Sequence, residues 1–206
     1  CVARMHELSN ASPICMKCGK YIEEGETLCG DCQQRPPAFE IARAVGPYEE
    51  GFRIATKVLK FLGRKSLAVP MGHMMTKVVK EEPAFWPIDV IVPVPISRGS
   101  KRQRGFNQSE LLARQLSKEL KIPMRPHAMY RIKETPAQKE LTREEREKNL
   151  LCAFEIRNSR LVYGKKVLLV DDVYTTGSTG RECTRVLLGA GAEKVNIITW
   201  ATGRGF

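Results

Sequence analysis

The stretch VLLVDDVYTTGST, Val167 to Thr179, sets four apolar residues ahead of paired acids and then turns through Gly177 among four short hydroxyl side chains. An unbroken apolar run bounded by a turn fits a strand buried on both faces, since a half-exposed strand would alternate. The helix GRECTRVLLGAGA, Gly180 to Ala192, follows, and then a second strand, KVNIITWAT, Lys194 to Thr202. Strand, helix and strand in this order predict a βαβ unit with a parallel pair, hence an α/β fold.

Each part of the quoted stretch suits an anionic sugar ligand. The strand fixes Asp171 and Asp172 at its carboxyl end, where open α/β sheets place ligands. Two carboxylates are acceptors for two ribose hydroxyls. Backbone N–H groups from Thr175 to Thr179, with the hydroxyls of Thr175, Thr176, Ser178 and Thr179, can surround a phosphate at the helix N-terminus, where the helix dipole favours an anion. Gly177 permits the close backbone approach. An acidic capping turn with no ligand leaves two adjacent carboxylates at the end of a buried strand unexplained. No G-x4-G-K-[ST] occurs, which excludes a Walker-type loop.

Upstream, CMKCGKYIEEGETLCGDC places Cys15, Cys18, Cys29 and Cys32 as two C-x2-C pairs with 10 residues between them. Two such knuckles supply four thiolates, a closed tetrahedral set for a structural Zn²⁺ with no open position for catalysis. The pattern reads as metal in a reducing, cytoplasmic setting. Prolines 36 and 37 stop any regular element, so residues 1–37 are expected to form a zinc module and 38–206 the larger domain. Cys152 and Cys183 are expected in the core. In the larger domain, IARAVGPY reads as a short strand. Phe52, Ala55, Val58, Leu59 and Leu62 mark an amphipathic helix, and a second helix is expected over residues 67–79. DVIVPVPI reads as a buried strand opening into a basic loop, and SELLARQLSKEL as a helix with Ser109 near its start.

The net charge of +11 is uneven, because residues 97 to 146 hold 13 Lys and Arg against 6 Glu, a balance of +7. A polyanion is the natural partner, either pyrophosphate, nucleic acid or both; the plain alternative is a solvated basic surface. Arg98, Lys101, Arg102 and Arg104 follow the strand directly and suit pyrophosphate, since guanidinium groups bind phosphate in bidentate fashion. The apolar runs VLLV and VIVPVPI are far short of the roughly 20 residues that cross a bilayer. No charged segment followed by an apolar stretch opens the chain, so no signal peptide is expected. Tyr21, Phe39 and Phe106 are candidate stacking residues for single-stranded nucleic acid.

Residues 167–179 resemble the signature by which type I phosphoribosyltransferases bind phosphoribosyl pyrophosphate (PRPP). RGFNQSELLA (104–113), with TPAQKELTREEREKN (135–149) ahead of an aromatic-containing strand expected at LLCAFEI (150–156), narrows the resemblance to the ComF family of DNA-uptake competence proteins. The resemblance implies a type I phosphoribosyltransferase fold, a parallel-sheet core with flanking helices, beside a small N-terminal zinc module with four cysteine ligands. It also implies PRPP with Mg²⁺ as ligand, Asp171 and Asp172 as catalytic and ribose-binding residues, and 135–149 as a mobile lid over PRPP. Single-stranded DNA and other competence proteins are the implied partners. Purine-salvage relatives carry an Asp in the phosphate turn where this sequence has Thr175, which argues against 6-oxopurine substrates. Three roles stay open: handling incoming DNA, transfer of ribose 5-phosphate to an unidentified acceptor, and PRPP sensing without catalysis.

Overall fold

The computed structural model describes residues 13–133 and 152–205. After a short helix, α1 (Gly30–Gln34), the chain runs through β1 (Ala42–Pro47), α2 (Glu50–Phe61), α3 (Ala68–Glu81), β2 (Val90–Pro93), α4 (Arg98–Arg104), α5 (Gln108–Leu120) and β3 (Tyr130–Arg131). It continues through β4 (Phe154–Glu155), β5 (Lys166–Tyr174), α6 (Ser178–Gly189) and β6 (Lys194–Thr202). Strands pair in parallel in the order β1-β6-β5-β2, with Leu169 of β5 between Val92 and Ile197.

The expected burial of β5 on both faces holds, and its parity sorts the core into two. Val167 and Leu169 join one apolar cluster with Cys183 and Leu187 of α6, while Leu168 and Val170 join another with Leu59 of α2, Met75 of α3 and Leu112 of α5. β6 repeats the division, Val195 and Ile197 on the first face and Ile198 and Trp200 on the second. Successive strand side chains point to opposite faces, so a continuous apolar run is what a sheet covered on both sides requires. Trp200 also donates from Nε1 to the Phe52 carbonyl at 3.1 Å, which ties α2 to the central sheet. Truncating a buried aromatic of this kind costs about 3–5 kcal/mol.

The cysteine segment packs on the first face, its four cysteines in the same cluster as Phe39, Leu169 and Leu187. The Ala42 N–H donates to the Lys17 carbonyl at 2.8 Å, and the Gly205 N–H to the Tyr21 carbonyl at 2.8 Å. Gly19, at φ +69°, makes the first approach possible, because a Cβ there would lie 2.5 Å from the Ala42 oxygen.

Three expectations need correction. The basic stretch after β2 is a helix, α4, with the Ser97 hydroxyl accepting from the Ser100 N–H at 3.1 Å and Gly105 closing it at φ +77°. Among the described residues of LLCAFEI, 152–156, only the two of β4 are strand, paired antiparallel with β3 outside the main sheet. Cys152 is exposed, at φ +57°, whereas Cys183 is buried as expected. The segment 135–149 lies outside the described residues. Among those described, no helix is long and apolar enough to cross a membrane.

Candidate ligand site at the ends of the central strands

Asp171 and Asp172 occupy the carboxyl end of β5, where burial of two carboxylates requires partners that the local sequence does not show. The structure supplies them from the start of α5. Asn107 caps that helix, its Oδ1 accepting from the Ser109 N–H at 3.0 Å and its Nδ2 donating to the Val94 carbonyl at 3.0 Å just beyond β2. This fixes Gln108 and Ser109 beneath the acids. The Ser109 hydroxyl donates to Asp171 Oδ1 at 2.8 Å, and Gln108 Nε2 donates to Asp172 Oδ1 at 3.4 Å. The Asp172 N–H also donates to Asp171 Oδ1, at 2.8 Å. Arg104 in turn donates to Gln108 Oε1. RGFNQS is therefore a run that braces the acid pair.

From the other side, the Lys60 ammonium of α2 ion-pairs with Asp172 Oδ2. Burial works against the Asp172 carboxylate, but the Lys60 charge and hydrogen bond prevail and hold its pKa below the ordinary value. Burial pushes Asp171 up to about 7, with the Asp172 charge adding to the effect. Burial likewise disfavours charged Lys60, and the Asp172 contact reverses this so that the ammonium is stabilised. Paired acids in unlike environments thus reach unlike protonation at neutral pH. Arg104 is pulled down by burial, partly offset by Asp172.

Beyond the acids the chain turns at Gly177, in the left-handed region at φ +78°, and enters α6 at Ser178. Thr176 and Ser178 share a hydroxyl contact at 2.8 Å, and the Gly177 carbonyl accepts the first helical bond, from the Arg181 N–H at 2.8 Å. A cavity of about 600 Å³ opens over these groups, and Asp171, Asp172, Thr175, Thr176, Gly177, Ser178 and Thr179 all line it. Its walls also include Ser97 and Ser100 of the α4 start, Lys57, Lys60 and Phe61 of α2, Tyr48, Gln108 and Arg131.

The basic residues separate. Arg104 is half-buried near the acids, whereas Arg98, Lys101 and Arg102 are exposed on α4 and none of the four lines the cavity. Tyr21, Phe39 and Phe106 are buried, at 6%, 0% and 7% exposure, so none offers a stacking face. Phe61, at 66% exposure on the cavity rim with the Arg104 guanidinium 5.9 Å from its ring, is the accessible aromatic that the sequence did not single out. Lys60 and the bracing role of Gln108 and Ser109 were missed too. Ser109 was visible as a helix start, but nothing in the residue types told that it would meet Asp171.

The second cluster is compact. The sulfurs of Cys15, Cys18, Cys29 and Cys32 lie within 4.8 Å of one another, Cys18 and Cys29 at 3.5 Å. Tetrahedral zinc with Zn–S near 2.3 Å holds its sulfurs about 3.8 Å apart, so this donor set fits the ion. Hydrogen bonding among the sulfurs draws the Cys15 thiol down and pushes those of Cys18 and Cys32 up, a conflict that a shared cation removes. Lys20 and Asp31, paired at 2.7 Å, clasp the two knuckles.

A phosphoribosyl transferase domain model matches residues 103–205, and a putative zinc finger motif of C2HC5 type matches residues 1–37. Competence protein F of Haemophilus influenzae is 30% identical over 196 residues, covering 93% of this chain and 85% of that protein. DNA utilization protein YhgH of Escherichia coli O157:H7 is 32% identical over 187 residues, covering 89% and 82%. Competence protein ComFC of Bacillus subtilis is 34% identical over 112 residues, covering 53% and 43%.

Proposed function

This chain belongs to the ComF family, with a type I phosphoribosyltransferase fold and an N-terminal zinc module, and on that footing we propose that it binds PRPP with Mg²⁺ and serves DNA uptake by handling incoming single-stranded DNA. The observation that carries the ligand is the acid pair at the end of β5, Asp172 buried and Asp171 half-buried, in one cavity with the hydroxyl turn that opens α6. Asp171 and Asp172 accept from the ribose hydroxyls. The N–H groups and hydroxyls of Thr175 to Thr179 hold the 5-phosphate at the start of a 12-residue helix. From outside the cavity lining, Arg104 near the acids and Arg98, Lys101 and Arg102 on the exposed face of α4 supply positive charge for the pyrophosphate. Mg²⁺ carried on PRPP would neutralise the diphosphate, and a cavity rich in carboxylate and hydroxyl oxygens suits that hard cation. The protein's own groups bind, orient and stabilise developing charge; no nucleophilic side chain is assigned. Cys15, Cys18, Cys29 and Cys32 hold a structural zinc.

The DNA role is supported by the printed names of the relatives, competence and DNA utilization, and by the excess positive charge of residues 97–146. A transferase reading has its own support, because Tyr48 and Phe61 line the same cavity of about 600 Å³ as the acids, which leaves room for an acceptor. Pyrophosphate release with Mg²⁺ and PRPP, screened over free bases and single-stranded DNA, separates transfer from sensing.

PRPP binding is tested by thermal unfolding. A ligand at 100 times its dissociation constant that binds only the folded state stabilises it by about 2.7 kcal/mol. Asp171→Asn with Asp172→Asn should abolish the shift while the ligand-free protein stays folded. An undiminished shift in the double variant would sink the ribose assignment.

A further inference from the structure

We propose that Lys60 belongs to the PRPP site as a ligand-contacting residue: its ammonium pairs with Asp172 in the free protein and passes to the diphosphate of PRPP when the ligand enters. This deepens the PRPP reading and rests on it.

The argument begins with the helix. α2 buries Phe52, Thr56 and Leu59 against the sheet, and Lys60, four residues after Thr56, falls beside it on the helix surface. It stands at the border of the apolar stripe, with Lys57 one turn before it on the same cavity wall. A lysine at a border position ordinarily snorkels outward and keeps its ammonium in water. Lys60 does the reverse, its side chain 21% exposed and its ammonium on a carboxylate that is itself 5% exposed. Withdrawing an ammonium from water costs several kcal/mol unless the geometry offsets it, so its inward course calls for a reason.

Neutralising the acid pair explains part of this and leaves the rest. Asp171 Oδ1 already takes the Ser109 hydroxyl and a backbone N–H, and Asp172 Oδ1 takes Gln108, all from α5 or β5. Those contacts brace the acids from beneath. Lys60 takes Asp172 Oδ2, and both residues line the cavity. A ribose hydroxyl arriving at Asp172 therefore has to share or displace that ammonium. Once displaced it needs a new anion within reach, and the entering molecule carries one, its diphosphate. Lysine is suited to such an exchange, as a point charge on a flexible four-carbon stem. Arg104, close enough for its charge to bear on Lys60, marks the same quarter of the site as cationic.

The test is calorimetric titration of the zinc-loaded full chain with Mg²⁺ and, separately, PRPP, pyrophosphate and ribose 5-phosphate. Loss of one charge-assisted contact weakens binding by roughly tenfold or more, so Lys60→Gln should weaken PRPP and pyrophosphate by about that factor and leave ribose 5-phosphate within about threefold. Lys60→Arg should recover part of the loss. Circular dichroism and zinc content monitor folding. Should Lys60→Gln fail to fold because two acids are left uncompensated, Asp172→Asn supplies a background without that demand. In it, Lys60→Gln should still weaken pyrophosphate by about the same factor. PRPP binding unchanged or tightened by Lys60→Gln overturns the assignment and makes the ammonium a bystander or a plug. Equal loss for all three ligands also overturns it, since Lys60 then acts only by holding Asp172. A wild-type chain that binds neither PRPP nor pyrophosphate removes the parent reading and this assignment with it.

Discussion

Replacing Gly177 by alanine tests whether the hydroxyl turn is held in one shape. The residue lies at φ +78°, where an L side chain costs about 1–2 kcal/mol. There is also a collision, because an added Cβ would meet the Tyr174 hydroxyl and stand 2.6 Å from its Cζ. Tyr174 cannot retreat cheaply: it is 5% exposed and packs edge-on against Phe39 with ring centroids 6.2 Å apart. Overpacking of this kind adds about 1–3 kcal/mol. The two together come to about 2–5 kcal/mol, and in a chain of this size each kcal/mol lowers the melting temperature by about 2–4 °C. Gly177→Ala should therefore melt roughly 4–20 °C lower by calorimetry, and PRPP should stabilise it less than wild type. Tyr174→Phe, which takes away the nearest colliding atom, should recover part of the collision cost and none of the backbone cost. A Gly177→Ala variant that melts within about a degree of wild type and keeps the full PRPP shift would refute the reasoning on both counts.

Three further outcomes are expected. Purified protein should hold about one zinc per chain, from four thiolates per ion, and Cys15→Ser with Cys29→Ser should lose it by elemental analysis and lower the melting temperature of the whole chain, because those cysteines share a core with Phe39 and Leu187. The Asp171 carboxyl is raised in the folded protein, so the native state holds a proton that the unfolded chain releases near pH 4; stability should fall as pH climbs from about 4 to 7, and Asp171→Asn should flatten that slope in denaturant titrations. Single-stranded DNA bound through phosphates should lose affinity with salt at a log–log slope of about −0.7 per phosphate neutralised; saturating PRPP should weaken that binding if the surfaces overlap and leave it unchanged if they do not, while no binding even at low salt rejects direct DNA handling.

What the sequence made legible is what one short stretch contains. The run from Val167 to Thr179 carries its own strand, its acids and its turn, and local pattern was enough to place all three. Lys60 was not legible, because an amphipathic helix bears lysines at its borders as a matter of course, and only the folded chain brings this one to a carboxylate far along the sequence. The same limit explains Phe61 and the buried trio Tyr21, Phe39 and Phe106: aromatic type does not reveal exposure. α4 was missed for another reason. Its charges dominated the reading, although Ser97 before it and Gly105 after it are ordinary cap residues. With α4 helical, Arg98, Lys101 and Arg102 face solvent, while Lys60 pairs with Asp172 and the Arg104 charge reaches that same carboxylate.

The boundary drawn at Pro37 separates two kinds of ligand chemistry, and the packing runs across it. Phe39 stands just past the prolines with no exposure, inside the cluster that holds all four cysteines, and the ring it meets is that of Tyr174. Tyr174 is the last residue of β5 and the wall behind Gly177. Burial raises its phenol pKa, and its ring lies in the same apolar cluster as the four cysteines. A zinc ion on those sulfurs would fix the surface on which Phe39 and Tyr174 rest, and Tyr174 sets the space into which the hydroxyl turn folds. The module that reads as an appendage is, in packing terms, the support behind Tyr174, which lines the cavity beside the hydroxyl turn, so removal of zinc should register in the turn before it registers in the far helices α2 and α3, which belong to the other apolar cluster.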